Sequence, residues 1–208
     1  MKKKKSLLLF FLITSILFAQ TTPTLETICA SLASHTNTSG DFTQTKTIQT
    51  NGRKLKSSGK YIICPKGILW QTEKPLSSSL ILTKENMIQI SANGTKSVMS
   101  GKDNQIFADI SETLSSVFSG DVMALKKNFT CDFTAGQGGE WKVILTPKDS
   151  TIASAMKNLE LSGITKPETA MKSLVMTEAS GNTITYEFLN QKYPEELSAD
   201  EKQNFVVE

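Results

Sequence analysis

The stretch that decides the fold is LKSSGKYIICPKGILWQT, residues 55–72. Pro65-Lys66-Gly67 is a turn signal, and it separates two runs that read as strands, Leu55–Cys64 and Ile68–Thr72, the second carrying Leu69 and Trp70. Two such runs across a three-residue turn read as an antiparallel hairpin. The pattern repeats outward in both directions. On the N-terminal side Asn51-Gly52 is a strong turn. Before it Asp41–Gln49 is rich in Thr, with Phe42 and Ile48 on the same two-residue phase. On the C-terminal side Pro75 breaks the run, and Ser78–Thr83 and Met87–Ser91 follow, joined through Lys84-Glu85-Asn86. Asn93-Gly94 then turns the chain into Thr95–Ser100. Short strands at regular intervals predict an antiparallel sheet or barrel.

Helices punctuate the sheet. In Thr24–His35, Leu25, Ile28, Cys29 and Leu32 keep helical spacing, and Thr24 after Pro23 is the expected N-cap. In Gln105–Phe118, Ile106, Phe107, Ile110, Leu114, Val117 and Phe118 form one apolar stripe, closed by Ser119-Gly120. Val122–Lys127 and Thr151–Met156 predict two short helical pieces. Strands resume at Phe129–Thr134 and Glu140–Thr146 across Gly136–Gly139, then at Leu159–Ser162, Met171–Glu178 and Thr183–Leu189. The polar stretch Gln191–Gln203 reads as surface and Phe205-Val206-Val207 as a short final strand. With no repeat and no Pro- or Ser-rich linker, the reading is a mainly β fold with a few helices in one domain.

The charge needs its own reading. The 208 residues carry 23 basic and 20 acidic side chains, a net charge of +3. Four of the lysines are Lys2–Lys5, followed by an apolar run from Leu7 to Phe18 and then Ala19-Gln20. A charged start, a short apolar run and a small residue before a polar boundary predict a secretory signal peptide over residues 1–19, cleaved after Ala19. The run is too short for a membrane span, and no Cys follows the boundary to take a lipid. Residues 20–208 then hold 23 − 4 = 19 basic and 20 acidic residues, a net charge of −1. The basic excess disappears with the leader, and no basic stripe remains to bind nucleic acid.

Chemistry-bearing motifs are scarce. There is no GxSxG elbow and no phosphate-cradling glycine loop. His35 is the sole histidine, and it falls at the frayed end of a helix, where a solvated position is expected. Cys29, Cys64 and Cys131 match no metal spacing, so neither a metal nor a cofactor is expected. Cys29 is expected to pack as a small hydrophobe; Cys64 and Cys131 both fall in strands, and the sequence leaves their pairing open. Asn37, Asn93 and Asn128 begin glycosylation sequons, a motif too common to carry weight. What the chain has in surplus is apolar side chains. If the helices cover one face of a curved sheet incompletely, an apolar cavity remains. Trp70, Leu80, Leu82, Met87, Ile90, Met99, Leu114 and Phe118 are its candidate lining. Such a cavity would bind acyl chains at roughly 0.8 kcal/mol per buried CH₂. The alternative is that the same residues fill a dry core, in which case an envelope adaptor or structural protein, binding a partner through its sheet, is the competing function.

The order of segments adds to this reading. Asp41-Phe42-Thr43-Gln44 leads to Ser58-Gly59-Lys60-Tyr61, then to Gly67-Ile68-Leu69-Trp70 with Pro75 beyond, then to Leu80-Ile81-Leu82-Thr83. Trp141–Lys148, Leu159-Glu160-Leu161 and Gly181–Phe188 follow. In that order the chain resembles the outer-membrane lipoprotein carrier (LolA) family. The resemblance implies an incomplete antiparallel β-barrel with a helical lid over an apolar cavity, and a monomeric, non-enzymatic periplasmic protein. It implies a lipoprotein or other acylated cargo, accepted from an inner-membrane ABC transporter and delivered to an outer-membrane receptor. It also matches Phe42 and Trp70 to family aromatic positions, which adds Phe42 to the candidate lining. One departure stands out: where the best-known carriers hold the lid with a strand-end Arg before the Pro matching Pro65, this chain has Cys64. The segment Arg53–Gly59 looks more like a divergent LolA-like branch, a resemblance that would imply another lipid or glycolipid as cargo.

Overall fold

The structure is a computed structural model that describes residues 22–83, 85–100, 115–116 and 121–205. The hairpin read at 55–72 forms. Strand β2 (Lys54–Cys64) pairs antiparallel with β3 (Gly67–Lys74), with Tyr61 opposite Trp70 and Ile63 opposite Ile68. β1 (Thr38–Thr47) precedes this pair, and β4 (Ser78–Leu82), β5 (Asn86–Ile90) and β6 (Lys96–Ser100) extend the meander. A second meander runs through β7 (Phe129–Ala135), β8 (Glu140–Pro147), β9 (Met156–Ile164), β10 (Ala170–Glu178) and β11 (Thr183–Lys192). The two join where β1 pairs with β11, Phe42 opposite Phe188. One 11-stranded antiparallel sheet results, in the order β6-β5-β4-β3-β2-β1-β11-β10-β9-β8-β7. Its two ends, β6 and β7, do not pair with each other, so the sheet is open and curved and the barrel is not closed.

A ring contact measures the curvature. Trp70 on β3 and Tyr186 on β11 lie with ring centroids 5.8 Å apart. Two strands, β2 and β1, stand between theirs. Three strand intervals of about 4.8 Å would hold their backbones roughly 14 Å apart on a flat sheet. The sheet therefore wraps around its concave face, and the larger core lies there: Phe42, Tyr61, Ile68, Leu82, Val143, Leu145, Leu161 and Phe188 are all buried in it.

Helix α1 (Leu25–Ala33) starts at the expected cap. The Thr24 side chain accepts from the Thr27 N–H, and the Thr27 side chain accepts in return from the Thr24 N–H, a reciprocal capping box. Its predicted stripe, Leu25, Ile28, Cys29 and Leu32, is buried in the concave core. The short helices α2 (Val122–Asn128) and α3 (Ser150–Ala155) form where expected, capped by Asp121 and Asp149, and bury Leu125 and Ile152 in the same core. Glu26 and Lys126 tie α1 to α2 at 2.6 Å. The helix expected over 105–118, with Leu114 and Phe118, lies outside the described residues except for 115–116.

The C-terminal segment departs from its reading. Phe205 does not sit in a final strand: it follows helix α4 (Ala199–Gln203), whose Ser198–Glu201 capping box starts a helix in the stretch read as plain polar surface. Leu197 and Phe205 are buried against Ile62, Leu69, Ile81 and Ile88 on the convex face. Those four residues alternate with the concave-facing ones along β2 to β5, so this part of the sheet is apolar on both sides and needs a cover on each. Val206 and Val207 lie outside the described residues. The buried Asn37 side chain donates to the Pro194 and Glu195 carbonyls at 3.1 and 2.9 Å, anchoring the segment that leads to this cover.

Candidate functional site

The concave face encloses a cavity of about 450 Å³. One wall comes from the first meander: Phe42 on β1, Trp70 on β3, Leu80 and Leu82 on β4, and Met87 on β5. The opposite wall comes from the second: Met156, Leu159, Leu174, Met176 and Tyr186. Register explains why these side chains converge. Leu82 pairs with both Ile68 and Met87, and Leu80 pairs with Trp70, so each presents the same face. Leu159 pairs with Met176, and Leu174 with Tyr186. Period-two alternation then aims all of them inward. Phe42 and Trp70 both touch the Tyr186 ring, with centroids 5.9 and 5.8 Å away, so three aromatics from three strands meet at the cavity wall. Burial pushes the Tyr186 hydroxyl above its ordinary pKa, which keeps this wall neutral.

Of the expected lining residues, Phe42, Trp70, Leu80, Leu82 and Met87 come together here. Met99 pairs with Met87 on the neighbouring edge strand and shares its face, although it does not touch the cavity. Ile90 is a correction: it stands against the convex cluster with Ile88, because it is an odd number of residues from the inward-facing Met87. Leu114 and Phe118 are outside the described residues. The second wall went unread in the sequence. Its signal was the alternation Leu159-x-Leu161 and Leu174-x-Met176, which marks one apolar face but does not say which other strands it confronts. The helix at 24–35, expected as part of a lid, buries its stripe in the core and contributes no residue to the cavity lining.

Other expectations also change. His35 is only partly exposed: its ring stacks on Tyr193 at 3.7 Å, its Nε2 lies 3.4 Å from Glu168, and it is outside the cavity lining. All three cysteines are free thiols. Cys64 packs against the convex cluster and Cys131 against the concave core, so the sheet itself separates them. Cys29 is buried in the core, as its helical position predicted. Asn37, the first sequon asparagine, is buried with its amide engaged.

The family model described as "Outer membrane lipoprotein carrier protein LolA" matches residues 33–203, most of the chain. The chain belongs to the LolA family. The match takes in every strand of the open sheet and every described residue of the cavity lining. Among solved structures, this LolA-family chain is similar to a DUF1329 family protein from Desulfovibrio piger. Identity is 12%, coverage is 84% of this chain and 92% of that one, and the TM-score is 0.48. It is also similar to a LolA superfamily protein from Nitrosomonas europaea, at 8% identity, 89% and 98% coverage and a TM-score of 0.48. No curated protein matches the sequence.

Proposed function

We propose that this LolA-family protein is a periplasmic carrier that shields the acyl chains of a lipoprotein, or of a related lipid, in its concave cavity during transfer between membranes. The observation that carries the reading is the cavity itself: about 450 Å³, walled by ten apolar or aromatic side chains from both meanders. That volume lies within the range of small-molecule sites. Burying about ten methylenes there would contribute on the order of 8 kcal/mol before association costs are subtracted. Those costs, several kcal/mol or more, leave a net affinity from which cargo can still be released. Binding by burial needs no bond to be made or broken, and we infer a non-enzymatic role.

Residues 1–19 would export the chain and be cleaved after Ala19, leaving residues 20–208 as the carrier. Its partners would be the acylated cargo, an inner-membrane ABC transporter that loads it and an outer-membrane receptor that unloads it. The test is uptake of a fluorescent fatty acid by the purified protein and its displacement by an acylated lipoprotein. Saturable uptake with displacement is expected. Absence of uptake by folded protein would overturn the reading.

A further inference from the structure

The cavity is apolar along most of its lining but carries a polar stripe. Gln89 on β5, Ser78 on β4, Thr72 on β3 and Gln44 on β1 all line it. Thr72 pairs directly with Ser78, and Gln44 pairs with Ser57 on β2, so the polar positions step across five consecutive strands on the inward face. Ser57 Oγ donates to Gln44 Oε1 at 3.2 Å. The side chains of Thr72, Ser78 and Gln89 make no hydrogen bond among the described residues, so their donors and acceptors remain free beside an apolar space. Trp70, two positions before Thr72, adds a buried indole N–H that has no partner there.

The chemistry of the stripe is uniform: amides and hydroxyls, with no Lys, Arg, Asp or Glu among the described lining residues. The next inward position on β1, Lys46, is ion-paired with Glu178 at 2.6 Å. A carboxylate or phosphate drawn into this space would lose part of its hydration with no counter-charge among the described lining residues to meet it. A glycerol hydroxyl or ester carbonyl needs only hydrogen bonds, which these side chains supply.

We propose that the Gln89–Ser78–Thr72–Gln44 stripe reads the head group, so that the cavity selects amphiphiles with an uncharged, hydroxyl- and ester-bearing head of the acylglycerol type over fatty-acid anions and anionic phospholipids. The proposal builds on the carrier reading and names which amphiphiles that site accepts.

The test is displacement of a fluorescent acyl probe from the full protein at mildly alkaline pH. The competitors are a 1-monoacylglycerol, the fatty acid and the lysophosphatidylglycerol of one chain length. The monoacylglycerol should compete about tenfold more strongly than either anion, the worth of roughly 1.4 kcal/mol. In the Thr72→Val/Ser78→Ala variant that advantage should disappear. The exposed Gln89→Leu, which leaves the core untouched, should reduce it in the same direction. Equal competition by all three in the wild type, or an advantage that survives in the variants, overturns the head-group proposal and leaves the carrier reading standing. A folded wild type that binds neither probe nor competitor overturns both.

Discussion

Gly59 on β2 lies directly under the backbone of Gln71 on β3: a Cβ added at Gly59 would stand 1.9 Å from the Gln71 carbonyl oxygen. The contact falls where the β2–β3 register shifts, between Ser58 and Gly59, and Gly59 pairs on its other side with Phe42. A side chain there would force the two strands apart at the place where the sheet bends around the cavity. Gly59→Ala should therefore destabilise the protein by about 2–4 kcal/mol, read as a lowered urea midpoint. An unchanged midpoint would show that the close approach does not matter to the fold.

The convex cover predicts a separation of stability from binding. Phe205 is buried against Ile62, Leu69, Ile81 and Ile88, on the side of the sheet away from the cavity. Phe205→Ala should cost about 3 kcal/mol of stability, as truncation of a buried aromatic does. Affinity for an acyl probe, measured well below the melting temperature, should stay within about twofold, since no cavity side chain is touched.

Much of this fold was legible in the sequence because turn chemistry is local. Asn51-Gly52, Pro65-Lys66-Gly67 and Asn93-Gly94 separate strands where the sequence alone separates them, and Thr24 caps its helix by a rule written within four residues. The site was half legible. Trp70, Leu80, Leu82 and Met87 followed from apolar runs, whereas Ile90 failed because β4 and β5 are apolar on both faces and hydrophobicity alone cannot assign a side. The wall from Leu159 to Tyr186 depends on the β1–β11 pairing, a contact between the two ends of the chain that no local pattern encodes. Phe205 failed for a related reason. Its partner surface is made by four strands far earlier in the chain, so its burial beyond a capped helix is a tertiary event.

The Lys46–Glu178 pair predicts a pH dependence. The hydrogen bond from Lys46, helped by Asn182 and Ser180, holds the Glu178 carboxyl below its ordinary value of 4.5. A carboxylate lowered on folding adds stability that is fully present above its unfolded value and is lost as pH falls through the folded one. Glu178→Gln should be less stable by about 1 kcal/mol near neutral pH, since both side chains are partly exposed. The difference should shrink as the pH falls below 4.5, in urea titrations run across that range. A difference that stays constant into acid would contradict the pairing.

The thiols offer a check on topology. Cys29 is 2% exposed, and burial pushes its pKa up to about 11. It should therefore be the last of the three to react with a thiol reagent in the native protein. Denaturation without reductant should release all three thiols, because none of the three is bonded to another in this fold. One titratable thiol after denaturation would mean a disulfide that this fold does not contain.

The most direct test of the central claim is mass spectrometry of lipids extracted from natively purified protein, wild type and Leu82→Trp side by side. Leu82 lines the cavity, and the indole would occupy the space meant for cargo. Acyl-bearing molecules are expected in the wild-type extract, with a loss of about tenfold or more from a variant that still folds. An extract free of acyl species, or equal amounts from both proteins, would contradict that claim.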